Sequence, residues 1–211
     1  MRRGKFEAIN RKDNFTNQTE GKEPESFTKS VFSYLHDMMY LLVIIVLVLV
    51  FCLRVVVVSG SSMKNTLVNG DYLLLLSNYI YRNPEQGDII VACKDSFRNG
   101  EPIIKRIIAV EGQEVDIDFE TATVYVDGKA LKEDYIGSPT TDPEGVKFPI
   151  VVKEGCVFVL GDNRGGSQDS RSPQIGQIDR REILGRAIFL IIPGNDYGDS
   201  PRDFGRIGGL K

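Results

Sequence analysis

Three short stretches of this 211-residue chain carry side chains able to do chemistry, and a single histidine, His36, restricts what that chemistry can be. The first stretch is Ser59-Gly60-Ser61-Ser62-Met63-Lys64-Asn65-Thr66-Leu67. Glycine before a serine lets the backbone turn sharply, exposing the hydroxyl and leaving nearby N–H groups free to hold an oxyanion. His36 lies at the foot of a long apolar run, well before these serines. A serine nucleophile here therefore cannot use the imidazole of a Ser-His-Asp triad, and the remaining precedent for its base is a lysine held neutral. Taken alone, serine and glycine after a strand more often form an ordinary turn.

The second stretch is Glu101-Pro102-Ile103-Ile104-Lys105-Arg106-Ile107-Ile108-Ala109-Val110. Strand alternation puts Lys105 on one face with Ile103 and Ile107, and Arg106 on the other with Ile104 and Ile108. Desolvation disfavours an ammonium, so a lysine among such neighbours can lose its proton near neutral pH and accept one from a serine hydroxyl. The competing reading is a packed stem with its head in water, and only a partner serine tips the balance. The third stretch, Gly161-Asp162-Asn163-Arg164-Gly165-Gly166-Ser167-Gln168-Asp169-Ser170-Arg171, holds two acids, two arginines, two serines and three glycines. It has the spacing of neither a phosphate-binding loop nor a calcium loop. It is either a solvated loop or a rigid scaffold whose ion pairs fix the lysine strand while a serine hydroxyl orients the amine.

These stretches need elements to hold them. Residues 1–37 begin polar and turn-rich and read as a disordered tail, and from Met38 to Leu53 every residue is apolar or Tyr. Sixteen helical residues rise about 24 Å, short of a roughly 30 Å hydrocarbon core, so Arg54 is expected to snorkel and the following valines to extend a span over 38–54. The run shows no amphipathic stripe, which argues against a buried core helix, and no Ala-x-Ala-like cleavage site follows it. Lys and Arg precede the run and few follow closely, so the N-terminus is expected in the cytoplasm and the rest outside. Ser62 stands eight residues beyond Arg54, within roughly 30 Å of the bilayer, in reach of membrane-borne substrates.

Residues 55–193 then read as an external, mainly β domain, with strands over 55–58, 72–76, 88–92, 103–110, 115–119, 123–126, 157–160 and 183–192. Asp127-Gly128 marks a tight turn. Residues 194–211 read as a loose C-terminal tail.

Composition closes several routes. An apolar fraction of 42% with 26% charged residues is that of a globular chain, and a net charge of −3 with dispersed Lys and Arg offers no face for nucleic acid. Cys52, Cys93 and Cys156 are never spaced as Cys-x-x-Cys and cannot complete a common zinc site, so no metal is expected. Cys52 reads as a small buried hydrophobe, whereas Cys93 and Cys156 are able to pair in an oxidising space.

In this order behind an apolar span, the three stretches resemble the type I signal peptidases of bacteria. The family pattern Ser-Met-x-Pro-Thr-Leu appears as Ser62 to Leu67, Gly-Asp-Ile-Val as Gly87 to Ile90, Lys-Arg-Val-Ile as Lys105 to Ile108, and Gly-Asp-Asn-Arg-x-x-Ser-x-Asp-Ser-Arg as Gly161 to Arg171. The resemblance implies an external fold like that of signal peptidases and repressor peptidases. It implies Ser62 as nucleophile, Lys105 as general base, Ser167 bonded to the amine, and Arg106, Asp162, Asp169 and Arg171 as supporting ion pairs.

The main-chain N–H of Ser62 would donate to the oxyanion. Where some members carry a second donor hydroxyl this chain has Gly60, and Asn65 replaces the usual proline, which should loosen the turn. An extended substrate would add as a strand beside Gly60, Ser61, Met63, Pro102 and Ile104, with shallow pockets for small side chains. Secretory preproteins, membrane lipid and the protein-export translocon are the implied partners, at the bacterial plasma membrane, with no cofactor. The single span favours a Gram-positive-like form. The alternatives are a self-cleaving repressor-type peptidase, against which the apolar span speaks, and an inactive, membrane-tethered β domain that binds partner proteins.

Overall fold

The computed structural model describes residues 27–198 and 201–210. Its one long helix, α1 (Phe27–Phe51), contains no glycine or proline, and the stretch Lys29–Phe51 is long and apolar enough to cross a membrane. The limits differ from the expected 38–54. Helix begins eleven residues before the apolar run because Val31, Phe32, Tyr34 and Leu35 continue its apolar character without a breaker. It stops at Phe51 because Leu53–Val57 leaves the helix as strand β1 and pairs with β2 (Tyr72–Ser77). Arg54 thus lies on a strand opposite Leu75 and does not end the helix, and the stretch long enough to cross a membrane takes its added length from residues before Met38. The part of the expected N-terminal tail at 1–26 lies outside the described residues, and 27–37 is helical.

All eight strands expected from the sequence are present. β1 and β2 join β3 (Ile89–Cys93), β4 (Pro102–Val110), β9 (Cys156–Leu160), β10 (Ile178–Asp179), β11 (Ile183–Ile192) and β12 (Gly208–Gly209) in one antiparallel sheet of order β1-β2-β11-β3-β4-β9-β10, with β12 on β11. A second sheet has the order β7-β6-β5-β8, from β5 (Glu114–Asp118), β6 (Thr123–Val126), β7 (Lys129–Ala130) and β8 (Ile150–Val151). Asp127 and Gly128 both take positive φ, 51° and 72°, which is the two-residue hairpin geometry that their sequence suggested for the β6–β7 turn.

β4 connects the two sheets physically. Its pairing with β9 shifts register between Ile107 and Ala109, so Ile107 packs with Ile90, Ile103 and Val159 while Ile108 and Ala109 pack with Val115, Val124 and Phe158 beneath the second sheet. A bulge of this kind re-aims successive side chains. It leaves Lys105 and Arg106, just before it, in well-packed surroundings.

Among the described C-terminal residues, 194–198 and 201–210, several dock onto the sheet and do not form a loose end. Gly208–Gly209 pairs with β11, and Leu210 packs near Val58, Met63 and Leu67. Arg206 places its guanidinium 2.7 Å and 3.1 Å from the two oxygens of the fully buried Asp71 and donates to the Thr66 carbonyl at 3.1 Å. Nothing local marks this docking, because the partners lie 135 and 140 residues away. Arg206→Ala leaves a buried carboxylate short of its guanidinium and is expected to cost about 1–3 kcal/mol. Urea unfolding of the detergent-solubilised chain checks this, and an unchanged midpoint would show that the contact contributes nothing.

Candidate active site

The serine stretch follows β1 as a turn held at both ends. Gly60 has φ 106°, and its N–H donates to Asn69 Oδ1 at 3.1 Å. Met63 O accepts from the N–H groups of Thr66 and Leu67, while Met63 and Leu67 sink into the core beside Val58. Two buried apolar anchors, one just after Ser62 and one at the end of the turn, thus fix the backbone and leave the Ser62 side chain partly exposed. Asn65 has φ 93°, a conformation closed to proline, whose ring fixes φ near −65°. Its side chain packs against Gly137, where an added Cβ would lie 2.9 Å from Asn65 Nδ2. The exchange of proline for asparagine therefore accompanies a differently shaped turn and is more than a loosening.

Lys105 Nζ lies 2.8 Å from Ser62 Oγ and donates to the Ile104 carbonyl at 3.0 Å. The lysine is 5% exposed, on a strand stretch flanked by Ile103 and Ile107. Its neighbour Arg106 makes a buried bidentate pair with Asp162, Nε to Oδ1 at 2.9 Å and Nη2 to Oδ2 at 2.8 Å. The same guanidinium donates to the Gly87 carbonyl and lies 4.1 Å from the ring centre of Tyr135. Thr66, at the end of the serine turn, donates its hydroxyl to Asp162 Oδ2.

The glycine-rich third stretch closes the site from the other side. Asn163 donates its main-chain N–H to Ser62 O and its side-chain amide to Ser61 O, both at 3.0 Å. At Gly161 an added Cβ would stand 2.1 Å from Ser167 Oγ and 2.5 Å from Ser62 O, so only glycine lets these two serines approach. Ser167 lines the same cleft as Ser62 and Lys105, and its hydroxyl donates to the Gln168 carbonyl at 3.4 Å. Asp169 accepts from Gly161 N–H and pairs with Arg171, whose guanidinium also donates to the Asp142, Arg164 and Ser167 carbonyls and pairs with Glu144. Burial works to lower the Arg171 pKa, but the hydrogen bond and charge of Asp169, with the charges of Glu144 and Asp142, together raise it.

All twelve candidate residues fall in one region, and Gly60, Ser61, Met63, Pro102 and Ile104 line a cleft of about 1020 Å³ with Ser62. Pro102–Lys105 pairs with β3, whereas β9 joins β4 only from Arg106 onward, so among the described residues this stretch keeps one strand edge open. Other contributors escaped the sequence reading. Arg164 is buried and pairs with Glu133 while donating to Thr140 and the Gly161 carbonyl. A buried arginine requires an acid, but Glu133 lies in an aperiodic segment with nothing local to mark it. Glu144 lines the cleft, and its carboxyl is pushed up to about 7, first by burial and next by the charge of Asp169, with Arg171 opposing. Cys93 and Cys156 are free thiols whose pKa burial raises. His36 lies on α1 with its ring 4.5 Å from Tyr40. Among the described residues no three His, Cys, Asp or Glu side chains converge to hold a metal.

The chain is similar to known proteins. The family described as "Signal peptidase, peptidase S26" matches residues 31–192. A probable signal peptidase I-1 of Synechocystis sp. is 35% identical over 170 residues, 74% of this chain and 83% of its own. A signal peptidase I of Bacillus licheniformis is 31% identical over 175 residues, 79% of this chain and 91% of its own. A solved signal peptidase I of Enterococcus faecalis V583, at 31% identity, covers 50% of this chain and 97% of its own with a TM-score of 0.40.

Two measurements probe this packing. Gly161→Ala forces a methyl group into the contact between Ser62 and Ser167 and is expected to cost about 1–3 kcal/mol, seen as a lower urea midpoint; an unaltered midpoint would refute the close approach. Glu144 binds its proton more tightly folded than unfolded, so its contribution to stability is full below its ordinary 4.5 and is lost as pH rises to about 7. Thermal unfolding of Glu144→Gln across that window is expected to decline less than wild type, and parallel curves would exclude the shift.

Proposed function

The chain belongs to the signal peptidase family, peptidase S26, and from that membership and the cleft geometry we propose that it is a membrane-anchored serine endopeptidase that removes N-terminal signal peptides from exported preproteins with a Ser62/Lys105 dyad. The observation that carries the dyad is the 2.8 Å approach of Lys105 Nζ to Ser62 Oγ, with the lysine buried among apolar neighbours. Burial disfavours the ammonium and favours the neutral amine that a base requires.

In this reading an extended substrate segment lies along the open edge of Pro102–Lys105 and beside Gly60–Met63, adding main-chain hydrogen bonds as a strand. Pro102 has no N–H to offer, so the donors on that edge come from later residues. Neutral Lys105 takes the Ser62 hydroxyl proton as Oγ attacks the scissile carbonyl carbon. The Ser62 main-chain N–H donates to the oxygen that becomes negative. As the intermediate collapses, the Lys105 ammonium gives its proton to the leaving amine and the mature N-terminus departs. Lys105 then takes a proton from water, whose oxygen attacks the ester, and returns it to Ser62 Oγ as the signal peptide leaves with a carboxylate.

Ser167 and the pairs Arg106–Asp162 and Asp169–Arg171 position the amine and the serine turn. Helix α1 anchors the chain in the bacterial plasma membrane with its N-terminus cytoplasmic and the β sheets outside, where preproteins emerge from the export translocon. Ser62→Ala and Lys105→Met are each expected to abolish preprotein cleavage in detergent while melting like wild type. If either folded variant cleaved at the wild-type rate, the dyad would be excluded, and the reading as an inactive partner-binding domain would gain if wild type cleaved nothing.

A further inference from the structure

We propose that a second, arginine-lined pocket binds the phosphate of an anionic phospholipid headgroup. The pocket, about 400 Å³, lies between the turn after β2 and the turn before β11 and is lined by Asn78, Tyr81, Arg82, Arg180, Arg181 and Ile183 together with Pro84. Asn78 N–H donates to Leu184 O at 3.0 Å and ties its two walls together. Three arginines line it, and among the described residues no Asp or Glu does.

The existing contacts of these arginines leave donors over. Arg82 Nε donates to Tyr79 O, and Arg181 uses Nε and Nη2 on Asp179. Arg180 Nη2 pairs with Glu111 at 3.3 Å, while Arg180 Nε is buried with no hydrogen-bond partner among the described residues. A buried donor on a cation without a protein partner is one that an oxygen acceptor entering the pocket can satisfy. Planar forks of N–H groups suit the tetrahedral oxygens of a phosphate better than a single carbonyl or chloride.

Placement selects a lipid as the source of that phosphate. Ser77 N–H donates to Cys52 O at 2.9 Å, and Cys52 directly follows α1, so the pocket's first wall starts beside the end of the apolar helix. In the same turn Tyr79 and Ile80 are 63% and 49% exposed. Tyrosine, an aliphatic residue and arginine side by side, next to a span, match the headgroup level of a bilayer, and basic groups there attract anionic lipid. The choice of lipid rests on the reading of α1 as membrane-spanning, but it does not involve Ser62 or Lys105.

The test uses the full chain in a neutral detergent, with thermal unfolding followed during addition of short-chain phosphatidylglycerol, phosphatidylcholine of the same chains, or inorganic phosphate. Phosphatidylglycerol is expected to raise the melting temperature by several degrees, phosphatidylcholine not to, and Arg180→Gln and Arg82→Gln each to lose the shift while cleaving a preprotein in detergent at the wild-type rate. An equal shift with phosphatidylcholine, or a shift retained in both variants, overturns the pocket. A full shift with inorganic phosphate alone overturns the lipid assignment in favour of a free-anion site. Alkaline washing of membranes carrying the chain tests the anchor separately: extraction would overturn the lipid source while the phosphate response of the pocket is still read in detergent.

Discussion

The buried pair of Arg106 and Asp162 is the constraint on which the rest of the cleft depends. Arg106 follows Lys105 in β4, Asp162 follows Gly161 at the start of the glycine-rich stretch, and Thr66 of the serine turn donates to the same carboxylate. One bidentate contact therefore ties together the three segments that carry Ser62, Lys105 and Ser167. Removing one partner of such a pair typically costs about 3–5 kcal/mol, because the other charge is left buried without its counterion. An apolar replacement of both would not reproduce the arrangement, since carboxylate and guanidinium fix an orientation as well as a distance.

Around this pair the glycine-rich stretch is built as a frame with charges turned inward. Arg164 and Arg171 are almost fully buried, and each spreads its donors over main-chain carbonyls and an acid: Gly161 and Glu133 for one, Asp142, Arg164, Ser167 and Asp169 for the other. Guanidinium groups suit this task because five fixed N–H donors satisfy several loop carbonyls that no strand partner reaches. The reward is a loop rigid enough for Gly161 to be squeezed between two serines. A lysine in either place would supply one point charge and leave carbonyls unbonded.

Strand β4 shows how one element serves both packing and chemistry. Its first half pairs with β3 and keeps its other edge open at the cleft, while its second half is covered by β9 and, past the bulge, buries Ile108 and Ala109 under the second sheet. The open half is where an extended peptide can add, and the covered half holds that edge steady. Residues 206–210 do the same for the serine turn, since Arg206 grips Asp71 and the Thr66 carbonyl while Leu210 packs near Met63.

What the sequence determined by itself was local in origin. One histidine in 211 residues removed the imidazole triads, short β-branched runs between turn residues marked eight strands, an unbroken apolar run marked the helix, and Asp127-Gly128 marked a hairpin. Each follows from steric and solvation preferences that act over a few residues. Tertiary structure alone decided the helix limits, since residues 27–37 extend α1 and strand pairing to β2 claims Leu53–Val57. It alone brought Lys105 to Ser62 across 43 residues of sequence and chose Glu133 for Arg164 and Asp71 for Arg206. The reason is that a charge or an edge carries no local record of its partner: many acids suit a given arginine, and packing of the whole sheet selects one.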